Sequence, residues 1–246
     1  MGRCLWILLS MAMRVGLFIP CYVDQCYPHV ARATVRILER LGVRCDYDPR
    51  QTCCGQPAYN SGYLDEAARV AEHFIRVFDR YDHVVAPGGS CVGMVRNHYS
   101  ELLGREEPVT TRVHELCEFL TGQLDVNDIG ASLSGRAALH VPCHMLRELD
   151  GDGPIRRLLA NVRGLEIVEL PSDAWCCGFG GTFSVKFPEL SAAMARRKLQ
   201  HVQRERLDYL LSPDMSCLMQ LAGVGRREGF TARPLHVAEV LAGMMD

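Results

Sequence analysis

Eight of the twelve cysteines in this chain fall into two matching quartets. Cys21, the adjacent pair Cys53-Cys54 and Cys91 read C-x31-CC-x36-C, while Cys143, Cys176-Cys177 and Cys217 read C-x32-CC-x39-C. Each first member follows a proline (Pro20, Pro142), each last member follows a serine (Ser90, Ser216), and each pair precedes a glycine (Gly55, Gly178). From one quartet to the other the numbering advances by 122 at the first cysteine, 123 at the pair and 126 at the last. Four thiols recurring in one order at nearly constant offset mark a duplicated metal-binding unit. Thiolates select soft metals, and four of them suit either zinc or an iron–sulfur cluster. Structural zinc sites usually draw on C-x2–4-C knuckles, and neither quartet contains one. An adjacent pair aims two sulfurs at neighbouring but distinct points, which suits different irons of one cluster, so the spacing favours iron–sulfur over zinc; the expected cofactor is a [4Fe–4S]-type cluster, one or two per chain. Zinc in one or both sites stays open as the alternative.

Other residues cluster around these sulfurs in sequence. Gly55 and Gly178 can take backbone angles barred to other residues and let the chain pass close to a metal. The Gly-rich turns at 88–90 and 178–181, the latter including Gly181, can aim N–H groups at cluster sulfurs. Ser61 and Ser184 each fall seven residues after the second cysteine of their pair, so they are expected to face equivalent sites; Lys186 is a further pocket residue. His144, directly after Cys143, is the candidate catalytic residue, able to ligate a metal or pass protons. His114 and His236, also 122 apart, are expected to cap or pack within helices. Cys4, Cys45 and Cys117 lie outside the repeat and read as small core residues; Cys26 lies close enough to Cys21 to touch the same site. Arg196-Arg197-Lys198 reads as a solvated helix face. Gly178-Phe179-Gly180-Gly181 lacks the lysine and spacing of a phosphate loop, and no flavin or nicotinamide fingerprint is present.

The elements that must position the sulfurs alternate strand and helix. The apolar runs Arg14–Ile19, His83–Ala86, Ala137–Val141 and Tyr209–Leu211 suit strands buried on both faces. Val43–Tyr47 and Leu165–Leu170 are expected strands leading to the two cysteine pairs. Helices are predicted from Pro28 to Gly42, with Val30, Ala33, Ile37, Leu38 and Leu41 inward, and from Leu64 onward, with Leu64, Ala67, Ala68, Ala71, Phe74 and Phe78 inward. Further helices are expected over Cys91–Leu103, Arg112–Gln123, Pro154–Val162 and Pro188–Arg206, with two more closing the chain. The fold class is therefore α/β: two related half-domains with mainly parallel sheets, duplicated about a pseudo-twofold axis, with ligands at the carboxyl ends of the strands. The polar stretch 125–135 separates them, giving a first half-domain over 13–124 and a second over 136–246. Residues 1–12 read as an N-terminal extension upstream of a start at Met13; their apolar run is too short to span a bilayer.

Composition narrows the partners. Over 246 residues the formal charge is -2, hydrophobic residues make up 48% and charged residues 23%, which leaves no pull toward nucleic acid or an anionic membrane. A chain this long folds without disulfide staples, and vicinal cysteines bridge each other poorly. Reduced thiols in a cytoplasmic protein, spent on metal, are the better reading.

The segments QTCCGQPAYNSGY, SCVGMVRNHY, CCGFGGTFSVK and LHVAEVLA resemble the cysteine-rich CCG-domain iron–sulfur oxidoreductases. That family includes the cysteine-rich subunits of heterodisulfide reductase and of anaerobic glycerol-3-phosphate dehydrogenase, and the similarity is greatest to its lactate-utilization branch. The resemblance runs from about Met13 to the C-terminus. It implies a cytoplasmic oxidoreductase subunit that takes part in oxidising L-lactate to pyruvate. Its implied partners are a ferredoxin-like iron–sulfur subunit and a further lactate-utilization subunit, with L-lactate itself a possible ligand. A heterodisulfide-reductase-like thiol/disulfide electron-transfer subunit and a zinc-stabilised assembly protein are the alternatives. One departure stands out. The heterodisulfide reductase domains of this type end each set in C-x-x-C, but here Met94 and Gln220 occupy the last position, so each quartet lacks a fifth thiolate.

Overall fold

A computed structural model describes residues 13–149, 151–172 and 175–243; the reading of residues 1–12 lies outside these. The chain divides into two compact units, one ending at Phe119 and the other starting at Leu120. Each contains one four-stranded sheet with every pairing parallel. The α/β class and the duplication are thus what the repeat implied.

In the first unit the strands are β1 (Val15–Leu17), β2 (Cys45–Asp46), β3 (His83–Ala86) and β4 (Val113–Glu115), in spatial order β2-β1-β3-β4. Parallel neighbours must be joined by crossovers, and helices Pro28–Arg40 and Leu64–Phe78 supply them. Pro28 fixes the first helical turn, and Gly42 (φ 75°) turns the chain out beyond Leu41. Val30, Ala33, Thr34, Ile37 and Leu38 are buried on the first crossover helix, and Leu41 is only half-buried. On the second, Ala67, Ala71, Phe74, Val77 and Phe78 are buried. Leu64, predicted to lie inward, is 52% exposed because it opens the helix before the stripe meets the sheet. Phe18, Phe74, Phe78 and Tyr99 form an aromatic core, with Phe18 edge-on to Phe74 at 4.9 Å and to Phe78 at 5.6 Å.

The second unit repeats this plan with β5 (Ser132–Leu139), β6 (Arg163–Ile167), β7 (Tyr209–Ser212) and β8 (Arg233–His236), in order β6-β5-β7-β8. β5 begins at Ser132, ahead of the apolar run. Its core is aliphatic: Leu139, Leu158, Leu159, Leu199, Leu211 and Leu235 are all 4% exposed or less.

Three local expectations are corrected. The fourth strand of each sheet is not foreseen by the sequence pattern: Val113–Glu115 and Arg233–His236 pair with β3 and β7, where that pattern predicts helix. Both are short edge strands running straight into apolar helical turns, so no isolated apolar run announces them. His114 consequently sits in a strand rather than a helix, while His236 ends β8 and caps the next helix, accepting from Ala238 N–H. The helix expected over Arg112–Gln123 is broken into β4, one helical turn at Leu116–Glu118 and a wider turn over Phe119–Gln123. Among the described residues, no helix is long and apolar enough to cross a membrane.

Candidate metal centre

The strand order fixes where ligands can gather. Crossovers leave β1 toward β2 in one direction and β3 toward β4 in the other, so a crevice opens at the carboxyl ends of β1 and β3. Cys21 begins the short helix Cys21–Cys26 beyond β1, and Cys91 lies in the first turn of the helix Gly89–Leu103 beyond β3. In the second unit Cys143 begins helix Cys143–Glu148 beyond β5, and Cys217 lies in the first turn of helix Met215–Arg227 beyond β7. These four cysteines thus all stand in the first turns of helices that leave the carboxyl ends of the strands. The 88–90 segment, expected as a turn, is the start of that helix. The Cys53-Cys54 and Cys176-Cys177 pairs come from loops that follow β2 and β6.

Each loop is held in place from below. Gln51 spans from its loop to β1: its side-chain oxygen accepts from Ile19 N–H at 2.7 Å and its amide donates to the Leu17 carbonyl at 3.1 Å. Tyr99, fully buried, donates to the Cys54 carbonyl at 3.0 Å. In the second unit Lys198 does the corresponding work. It is 1% exposed, against the solvated position expected, and its ammonium donates to the carbonyls of Ser172 and Trp175, just ahead of Cys176. Its neighbours Arg197 and Arg196 behave otherwise, the first stacking 4.4 Å from the Trp175 ring centre and the second pairing with Glu228.

The sulfurs of each quartet form an unbroken chain of contacts. Cys53 stands between Cys21 and Cys54, and the Cys54 and Cys91 sulfurs lie 3.4 Å apart. Cys176 likewise stands between Cys143 and Cys177, and the Cys177 and Cys217 sulfurs lie 3.1 Å apart. All of the described cysteines are free thiols. Hydrogen bonds from Cys21 and Cys54 hold the Cys53 thiol well below its usual range, and the Gly55 N–H adds to this. The bond to Cys53, and then burial, push Cys21 up. Cys176 is lowered and Cys143 raised in the same way. Gly55 N–H lies 3.4 Å from Cys53 Sγ, Gly178 N–H lies 3.4 Å from Cys176 Sγ, and Phe179 N–H lies 3.5 Å from Cys177 Sγ. Gly55 and Gly178 reach these positions at φ 87° and 88°, in the left-handed region that favours glycine. Four neighbouring soft donors with backbone N–H groups aimed at them fit a thiolate-ligated metal or cluster.

The remaining expected residues take simpler places. His144 Nδ1 lies 2.6 Å from Glu148 Oε1 one turn along its helix, and this bond raises its pKa. Ser61 donates to the Pro57 carbonyl and Ser184 to the Gly181 carbonyl, so both serines fasten the turns beyond the cysteine pairs. Gly181 also adopts positive φ, and Lys186 ends the short helix Phe183–Lys186. Met94 is fully buried. Gln220 donates at 2.7 Å to Ser191 Oγ, which in turn donates to the Gly178 carbonyl, so it braces the second cysteine loop. Cys117 is buried, Cys45 is half-buried on the edge strand β2 with burial pushing its thiol up to about 11, and Cys26 is exposed. A concavity lined by Asp208, Tyr209 and Phe230 opens at the amino end of β7, the opposite edge from the cysteines.

One residue at the site is not anticipated by the sequence pattern. His140, 1% exposed and directly beyond β5, has a ring nitrogen within 4.8 Å of the Cys177 and Cys217 sulfurs. It sits inside an apolar run and reads there as core. The only signal is the repeat itself, which sets it against Phe18, 122 residues earlier.

Comparison with known proteins places this arrangement. Residues 15–96 and 137–222 each match the model of the cysteine-rich CCG domain, so the chain is a duplicated cysteine-rich-domain protein. Lactate utilization protein A of Geobacillus sp. (strain WCH70) is 43% identical over 235 residues, covering 93% of this chain and 99% of the relative. Its counterpart in Geobacillus kaustophilus (strain HTA426) is 45% identical over 236 residues, 93% of this chain and 98% of the relative. Lactate utilization protein A 2 of Bacillus cereus (strain AH820) is 41% identical over 237 residues, 94% and 98%. The chain belongs to the lactate utilization protein A family. Among solved structures, a hypothetical protein from Helicobacter pylori superposes with a TM-score of 0.62 over 96% of this chain and 49% of its own, at 7% identity, a likeness of fold alone.

Proposed function

We propose that this protein is an iron–sulfur subunit acting in the oxidation of L-lactate to pyruvate with companion subunits. The observation that carries the reading is the pair of sulfur chains, each set at the switch point of its own parallel sheet. A single zinc ion would gather four sulfurs about one point, each pair roughly 3.8 Å apart for Zn–S bonds of about 2.3 Å. Among the described residues, no three sulfurs of the first quartet lie mutually within 4.8 Å. The first unit's donors are thus spread more widely than one ion would gather them, which favours several irons there, while in the second unit His140, Cys177 and Cys217 lie mutually within 4.8 Å. Cys21, Cys53, Cys54 and Cys91 would hold one cluster, and Cys143, Cys176, Cys177 and Cys217 the other. Such a cluster, when bound, supplies one-electron transfer at a potential tuned by hydrogen bonds to its sulfurs. The N–H groups of Gly55, Gly178 and Phe179 are placed to make those bonds.

Lactate oxidation releases two electrons and two protons. One-electron carriers must therefore pass them on in turn, and the chain has no C-x2-C-x2-C run of its own for a further relay. A ferredoxin-like subunit supplies that path in this reading, and the names of the relatives connect the assembly with lactate. The test is anaerobic purification followed by iron, sulfide and zinc analysis, paired with rescue of lactate growth in a deletion strain. Brown protein with stoichiometric sulfide and restored growth is the expected result. Colourless protein holding zinc alone would reject the cluster, and disulfide reduction without lactate rescue would favour a thiol/disulfide role.

A further inference from the structure

The two quartets occupy equivalent backbone positions, but their surroundings differ at one place. Phe18 N–H donates to the Val85 carbonyl at 2.9 Å, and His140 N–H donates to the Leu211 carbonyl at 2.7 Å. Each residue is thus the first beyond the central strand, three residues ahead of its quartet's first cysteine. In the first unit the side chain is a hydrocarbon ring packed on Phe74 and Phe78, with no lone pair to offer. In the second it is an imidazole, fully buried, with a ring nitrogen within 4.8 Å of two quartet sulfurs. Imidazole is a strong ligand for iron and zinc alike.

We propose that His140 is a direct ligand of the second unit's metal centre, so that this centre has mixed thiolate–imidazole ligation while the first has thiolates alone. The two sites then differ in kind. A neutral imidazole beside the four thiolates adds a donor without adding negative charge, and axial or ligating side chains are among the features that set the potential of such a centre. The two centres are then expected to differ in potential.

This inference rests on the cluster reading above, and its test separates the two. The full-length protein is labelled with 15N at histidine only, purified anaerobically, assayed for iron and sulfide, and examined by pulsed EPR in the reduced state. A hyperfine coupling of the size shown only by directly bound nitrogen is expected in the wild type and in His144→Ala. It should vanish in His140→Phe, which installs the first unit's residue type. The wild-type spectrum decides the matter even if that variant fails to fold. Iron and sulfide present with only weak histidine coupling would overturn the ligand and leave the clusters standing; strong coupling retained in His140→Phe would do the same. Absence of iron and sulfide would remove both. As a second readout, His140→Cys adds a thiolate charge and should lower one of two midpoint potentials while leaving the other unchanged; an unchanged pair would count against ligation.

Discussion

At the scale of single residues, the structure separates the quartet sulfurs from the side chains that brace their loops. Cys54 and Cys177 are both 3% exposed and each sits between two other sulfurs of its own quartet. Replacing either by serine should remove the metal of its own unit and about half of the total iron; full retention in both variants would contradict the ligand assignment. The two glycines after the pairs make a sharper comparison. A left-handed conformation costs a residue with a Cβ roughly 1–2 kcal/mol. At Gly55 the added carbon would lie 3.4 Å from the Ala67 carbonyl oxygen, an ordinary distance. At Gly178 it would lie 2.5 Å from the Ser191 carbonyl oxygen, where backbone must move. Gly55→Ala should therefore lower stability by about 1–2 kcal/mol, and Gly178→Ala by clearly more, as read from chemical denaturation.

At the scale of elements, the cysteine loops depend on braces contributed by distant helices and strands. Lys198→Met would leave the Ser172 and Trp175 carbonyls without their ammonium donor. Losing a partner of this kind costs roughly 1–3 kcal/mol, and the metal lost should be the second unit's alone. The pairing of β3 with β4 brings another test. His83 Nδ1 lies 3.1 Å from His114 Nε2 across the two strands, and burial, with His83 and Arg96 nearby, lowers His114 to about 4 from the 6.5 of a free histidine. Between those values the unfolded chain binds the proton and the folded one does not, so stability falls as pH drops from 6.5 toward 4. His114→Leu should flatten that part of the stability–pH curve; an unaltered slope in urea titrations would show that His114 is not its source. These elements also mark how far the sequence alone is legible. β1, β3 and β7 are short apolar runs bounded by polar or proline residues, and their identity is plain. β4 and β8 are concealed because Glu115 and His236 close the strand and cap the following helix at once. Lys198 reads as solvated in the sequence because its ammonium meets carbonyls donated by a loop far away along the chain. The eight cysteines stand out through spacing alone, whereas His140 does not, since burial beside sulfur is a fact of three dimensions.

At the scale of the molecule, two units share one plan but not one interior. The first is built around Phe18, Phe74, Phe78 and Tyr99, the second around leucines. Because each has its own sheet and core, damage should stay local. Phe74→Ala, which empties an aromatic site at a cost of about 3–5 kcal/mol, should speed amide exchange in β1–β4 and leave β5–β8 protected. Equal acceleration in all eight strands would show that the units stand or fall together. The order of the ligands along the chain has a further consequence. Cys91 completes the first quartet well before the second unit's first strand begins at Ser132, and Cys217 completes the second 126 residues after Cys91. Domains emerging from a ribosome fold in turn, the leading one first. If both quartets take iron as proposed, the earlier one can be loaded while the later one's ligands are still being made, so a shortage of iron during synthesis would leave its mark on the two sites unequally.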